Sequence, residues 1–214
     1  MSKVPVRAAS DTKRRHILAV ATELFLERGF SGASTTELLR RTGGSKTTIY
    51  AYFGDKAGLF TAVIDEMLLD SVSLLKSLDL AELPIRDALV KVARQYLKVV
   101  LSPRYLGLMR IVVAEVNRFP AIGEAFYARG PGLSYARFSS FLDERTAIGE
   151  LVVSDTSRAT DLFFGTLLHR ELLERLYGVK SAPLRNVSAV ASAVADEFIE
   201  RYGVKPGALR SGDG

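Results

Sequence analysis

Three features of this 214-residue chain predict an all-α fold. Apolar residues recur at the 3.6-residue period almost throughout, no stretch alternates as a half-buried strand does, and the periodic stretches begin and end on helix caps and breakers. The composition, 48% hydrophobic and 25% charged, is that of a globular protein and excludes fibrous or wholly disordered chains. The absence of cysteine excludes a disulfide framework, thiolate metal sites and cysteine nucleophiles. His16 and His169 are far apart, so a His-based metal site would have to draw mostly on carboxylates; no metal and no cofactor are expected. No apolar run approaches the roughly 18 residues that a membrane span needs, and the first residues lack the apolar stretch of a signal peptide. A cytoplasmic protein without a membrane partner is expected.

The first element is predicted at 13–28, where Ile17, Leu18, Ala21, Leu24 and Phe25 share one face and Gly29 ends the pattern. Ser34 opens a short helix to Thr42, with Glu37 placed to reach back as a capping box, and Gly43-Gly44 stops it. Ser45 caps a second short helix from Lys46 to Phe53. Gly54-Asp55 breaks the chain again, and a long helix runs from Lys56 to Leu78. Further helices are expected at 84–101, from Pro103 to near Asn117, at 120–129, 133–147, 155–177 and 187–202. Gly149–Val153 reads as a loop. The domains are expected as a flexible basic arm at 1–12, a helix-turn-helix unit at 13–56, a helical body at 57–203 and a flexible tail at 204–214.

The excess positive charge is confined to one end. Residues 1–56 hold 10 basic and 5 acidic side chains, whereas the other 158 residues hold 19 of each and balance. A polyanion, nucleic acid before membrane, is the partner that such a segment suits. The two short helices and their glycine turn match a helix-turn-helix, whose second helix fits a major groove about 12 Å wide. Ile49 and Phe53, four apart, anchor that helix inward. Lys46, Thr47, Thr48, Tyr50 and Tyr52 then supply donors and hydroxyls for bases or phosphates, and Lys56 stands at a helix N-terminus that attracts phosphate. A solvated helical corner has the same spacing.

Residues 13–64 resemble the DNA-binding domain of the TetR family. The likeness rests on Gly29-Phe30, Thr35-Thr36, Gly43, Ser45-Lys46, Tyr50-x-Tyr52-Phe53 and Lys56-x-x-Leu59-Phe60. It implies DNA contacts at Thr35, Thr36, Ser45, Lys46, Thr47, Thr48, Tyr50, Tyr52 and Lys56. Gly44, Leu39, Thr47 and Gly54 depart from the family's usual residues. The segments Arg94–Leu97, Leu101–Pro103, Ile111–Glu115, Arg118–Pro120 and Phe126-Tyr127 look like the C-terminal domain of the AefR-like branch. That resemblance implies a sensor and dimerisation domain for an unknown small-molecule effector.

Seven of the 19 aromatic residues fall between Tyr105 and Phe141. Tyr105, Met109, Val113, Phe126, Phe138 and Leu142 are the candidate lining of an apolar effector cavity, with Arg110 or His169 as its polar contact. Plain core is the competing reading of the same aromatics. A homodimer face is expected on the last two long helices, from Phe164, Gly165, Leu168, Ala189, Val190, Ala193, Val194 and Phe198. The expected function is a ligand-responsive transcriptional regulator, a homodimeric repressor on a near-palindromic double-stranded DNA operator. The alternatives are a sequence-independent DNA binder and a small helical enzyme. Against the enzyme, no catalytic triad, paired-carboxylate or phosphate-loop signature stands out.

Overall fold

The structure is a computed structural model that describes residues 4–76, 80–179 and 186–204. Among them are ten helices: α1 (Val4–Gly32), α2 (Thr35–Thr42), α3 (Lys46–Phe53), α4 (Lys56–Lys76), α5 (Ile85–Val100), α6 (Pro103–Glu115), α7 (Pro120–Arg129), α8 (Pro131–Ala147), α9 (Thr156–Leu176) and α10 (Val187–Tyr202). The all-α expectation holds. The loop after α8 contributes a single bridge, Leu151 to Gly203, and no strand forms among the described residues.

The chain divides into two compact units. One comprises Met1–Asp70 and Pro103–Arg129, the other Ser71–Ser102 and Gly130–Gly214. The boundary falls inside α4, and α6 and α7 group with the N-terminal helices although they follow α5 in sequence. In the first unit Ile17, Leu18, Ala21, Leu24 and Phe25 of α1 are buried with Leu38, Ile49, Leu59 and Phe60. Phe25, Phe30, Phe60 and Phe119 interlock, with centroid separations of 4.7–5.9 Å and mostly edge-on packing. In the second unit Phe138, Phe163, Phe164 and Phe198 form a continuous ring cluster, and Tyr96 and Tyr135 pack onto Phe164. The buried Arg145 donates to Glu150 and to the carbonyls of Leu80 and Ala81, pinning the segment before α5.

Several helix limits differ from expectation. α1 starts at Val4, so most of the expected arm at 1–12 is helical. Pro5 stands in its first turn, where proline removes only an amide that has no helical partner. α1 also continues past a kink at Gly29 to Gly32. α6 stops at Glu115 rather than near Asn117, because Phe119 N–H closes back onto the Glu115 carbonyl. α8 starts at Pro131, two residues earlier than expected, with the proline again in the first turn. Residues 77–78 of the long helix, and all but Val204 of the expected tail at 204–214, lie outside the described residues.

Candidate nucleic-acid interface

The interface is built on two eight-residue helices, too short to persist without caps and packing. Ser34 accepts from the Glu37 amide and Ser45 from the Thr48 amide, both at 3.1 Å. Between them Gly43 takes φ 64°, a left-handed conformation that costs glycine least, and its amide closes α2 on the Leu39 carbonyl. After α3 the chain reverses into α4 at close quarters. A Cβ on Gly58 would stand 2.0 Å from the Phe53 carbonyl oxygen. No side chain fits there without moving backbone, so Gly58 fixes how α4 leaves α3.

Glu37 does not complete the expected capping box. Its carboxylate instead takes Arg40 at 2.8 Å and Arg41 at 2.7 Å, and Arg41 also reaches Glu27 of α1 at 2.8 Å. Two guanidinium donors outcompete one backbone amide for the same oxygens. They hold the Glu37 carboxyl down to about 2, and Arg41 also lowers that of Glu27. The network ties α2 to α1.

The nine expected DNA contacts separate into exposed and engaged groups. Lys46 and Thr47 are exposed on the first turn of α3, with Thr47 across the helix from the buried Ile49, and Thr36 is exposed on α2. Tyr50 is half-buried beside them, with the Lys46 ammonium 5.6 Å from its ring centroid. Thr35 is half-buried at the start of α2. Ser45 is exposed, but its hydroxyl serves the cap and shares a 2.9 Å hydrogen bond with that of Thr48. The Tyr52 hydroxyl shares a 2.9 Å hydrogen bond with Ser10 of α1.

Lys56 is engaged too. Its ammonium donates to the Ser31 carbonyl at 3.3 Å and lies 4.9 Å from the Phe30 ring centroid. Burial pulls its pKa below the ordinary lysine value, against the opposing pull of Glu115. Glu115, at the end of α6, accepts from the Ser31 amide at 3.0 Å and the Ser31 hydroxyl at 2.9 Å, which lowers its own pKa. The end of α1, the start of α4 and the end of α6 therefore meet on Ser31. Sequence reasoning missed this junction because Ser31 and Glu115 are 84 residues apart. It also missed Gly58 and Arg41, whose roles depend on approach and partner.

The expected effector residues fall in both units. Tyr105 and Phe126 are buried in the first unit with centroids 5.6 Å apart, and Met109 is half-buried on the same helix as Tyr105. Phe138 and Leu142 are buried in the second unit. Arg110 and Val113 are exposed, Val113 by 60%, because α6 turns Tyr105, Leu108, Ile111 and Val112 inward. His169 is exposed on α9. Buried groups that sequence reasoning missed are Gln95 Nε2 and Thr160 Oγ1, which have no hydrogen-bond partner among the described residues.

The expected dimer residues also divide. Phe164, Leu168, Val194 and Phe198 are buried within their own chain, as one face of each helix packs into the ring cluster. Gly165, Ala189 and Ala193 are exposed and Val190 is half-buried.

A capped helix pair with a tight glycine turn and an exposed Lys–Thr edge is the architecture of a helix-turn-helix DNA-binding regulator. The family comparisons agree. Residues 17–63 match the N-terminal domain of bacterial regulatory proteins of the tetR family, and residues 87–204 match the AefR-like transcriptional repressor C-terminal domain. The chain belongs to the TetR family of transcriptional regulators, which are not enzymes. It is similar to a TetR-family regulator from Mesorhizobium loti, with 28% identity and a TM-score of 0.81 over 91% of this chain and 98% of that one. It is also similar to the flavonoid-responsive regulator FrrA, with 28% identity and a TM-score of 0.77 over 92% and 100%. The transcriptional repressor BdcR of Escherichia coli is 32% identical over 94 residues, 44% of this chain and 47% of that protein. The chain thus matches under half the length of this curated relative. No described helix is long and apolar enough to cross a membrane.

Proposed function

We propose that the chain is a homodimeric repressor released from a near-palindromic operator by a small molecule. The observation that carries the DNA half is the exposed Lys46–Thr47 edge of the capped helix α3. In this reading Lys46, Thr47 and Tyr50 address bases and adjacent phosphates, while Thr35, Thr36, Ser45 and Thr48 stand at the groove's edge. Lys56 acts by holding the junction on Ser31 more than by touching phosphate, because its ammonium is already committed.

A second copy of the chain covers the outward faces of α9 and α10. Leu162, Gly165, Thr166, His169 and Leu173 recur at helical spacing on α9, and Ala189, Ala193 and Glu197 recur on α10. All are exposed, and the small residues allow close helix approach. Two-fold symmetry then sets the two α3 helices about 34–36 Å apart.

The match of residues 87–204 to the AefR-like transcriptional repressor C-terminal domain supports repression. The similarity to FrrA makes a planar aromatic effector of flavonoid type the first class to test. Rings of that kind stack on aromatic side chains, and the unpartnered Gln95 Nε2 and Thr160 Oγ1 offer polar handles in α5 and α9. Effector contacts fall to Tyr105, Met109 and Phe126 in one unit and to Phe138 and Leu142 in the other, and each set is to be tested separately. The effector favours a conformation in which the two heads are wrongly spaced. The shift passes through α4 and through the Glu115–Ser31–Lys56 junction at its start, with a coupling of roughly 1–3 kcal/mol.

Selection of bound fragments from genomic DNA, followed by anisotropy titration with and without flavonoids, tests the reading. Enrichment of near-palindromic fragments whose affinity falls on adding effector is the expected result. Equal affinity for enriched and random DNA contradicts it and favours a sequence-independent binder.

A further inference from the structure

The turn between α6 and α7 lies in the same unit as the recognition helix, yet the proposed DNA contacts leave its arginine without a role. Arg118 is exposed, and its guanidinium lies 5.2 Å from the Phe119 ring centroid. A guanidinium held over a ring face keeps the N–H donors at its edge free. Arg40, Arg41 and Arg129 of this unit each meet a carboxylate. The Arg118 side chain has no hydrogen bond or ion pair among the described residues.

The turn is fixed to the head by two routes. The Arg118 and Phe119 amides both donate to the Glu115 carbonyl, and the Glu115 carboxylate takes Ser31 of α1. The Phe119 ring packs edge-on against Phe30 at 4.7 Å, and the Lys56 ammonium lies 4.9 Å from the Phe30 centroid. Burial depresses the Lys56 pKa first, and the nearby Arg118 charge adds to the depression. Lys56 in turn lines one cleft with Thr35 of α2 and Tyr50 of α3. A strand that passes Thr35 and Tyr50 carries one charge about every 3.4 Å of axis, so further phosphates follow close by. The Lys56 ammonium is already given to the Ser31 carbonyl at 3.3 Å, which leaves Arg118 to supply donors to them.

We propose that Arg118 is a DNA-backbone contact delivered from the turn after α6, outside the helix-turn-helix. The inference rests on the reading of α3 as the recognition helix. The partner chemistry is a duplex phosphate met by the edge of the guanidinium, and the contact is indifferent to base sequence. It also gives α6 a direct hold on DNA. The Glu115 carboxylate ties the end of α6 to α1, and Arg118 follows three residues later. Displacement of that end therefore loosens the head and withdraws a phosphate donor in one step.

The test compares the full-length wild type with Arg118→Gln, Arg118→Lys and Arg104→Gln on two labelled duplexes. One is a duplex the wild type selects from genomic DNA, the other a random sequence of equal length. Arg104 is exposed at the opposite end of α6 and controls for lost charge alone. Affinities are measured across salt concentrations, and circular dichroism checks that each variant is folded. Arg118→Gln should lower the slope of log affinity against log salt by about one. Both duplexes should lose affinity by the same factor, leaving their ratio unchanged. Arg118→Lys keeps the charge and should keep the slope, and Arg104→Gln should match the wild type. A wild-type slope in Arg118→Gln, a fall in Arg118→Lys or an equal fall in Arg104→Gln overturns the proposal while the role of α3 stands. A changed ratio between the duplexes assigns Arg118 to a base and also overturns it. Failure of the wild type to bind either duplex overturns both readings.

Discussion

Helices α2 and α3 are eight residues long and hold their place with capping hydroxyls, one left-handed glycine and ion pairs. Helix α9 is 21 residues long and is held by rings, with Phe163 and Phe164 each almost fully buried among the aromatics of α5, α8 and α10. In the first case short polar side chains shape the element and leave neighbours such as Lys46 and Thr47 available to a partner, because an eight-residue helix has little interior. In the second the bulky residues are consumed by packing, and only small or polar ones remain outside. Aromatic residues therefore point to stability in the body, while hydroxyls and cations point to recognition in the head.

The comparison can be broken most forcefully at Phe164. Phe164→Ala should cost about 3–5 kcal/mol of stability in urea unfolding, because a fully buried ring leaves a cavity. A variant of wild-type stability with a weakened dimer would return Phe164 to the interface. Gly58→Ala comes next. The added methyl meets the Phe53 carbonyl oxygen, so a loss of about 1–3 kcal/mol is expected, together with weaker DNA binding. Retained binding would show that the exit of α4 from α3 tolerates rearrangement. Ser45→Ala should cost about 1 kcal/mol through the lost cap, measured by thermal unfolding.

The smallest effect is one of pH. Glu37 is held at about 2 in the folded chain against an ordinary 4.5. Its stabilising contribution is therefore complete above about 4.5 and is lost as pH falls towards 2. The melting temperatures of wild type and Glu37→Gln should converge across that window, and a constant difference would show that the carboxylate's charge is irrelevant. The Glu37–Arg40 pair reaches solvent and the Glu37–Arg41 pair is half-buried, so raised salt should narrow part of the gap.

Much of the head was legible because its signals are local. Ser34 and Ser45 each cap the helix they were expected to open, and Gly43 ends α2. Local reasoning failed where a stronger or a distant partner decides. Glu37 left the cap for Arg40 and Arg41, Lys56 turned to Ser31, and Tyr52 turned to Ser10. The start of α1 was hidden because residues 4–12 carry little apolar periodicity, and only Pro5 marked its first turn. In the body, helical spacing located the helices but could not say which face of α9 meets its own chain. Phe164 and Gly165 are neighbours in sequence, yet one is core and the other is exposed.

Footprinting of the selected duplex tests the central claim most directly. If α3 enters the major groove once per subunit of a symmetric dimer, guanine N7 protection should appear as two patches centred about 10 base pairs apart, related by a two-fold axis. A single patch, protection confined to the minor groove, or protection spread evenly along the duplex would contradict the account.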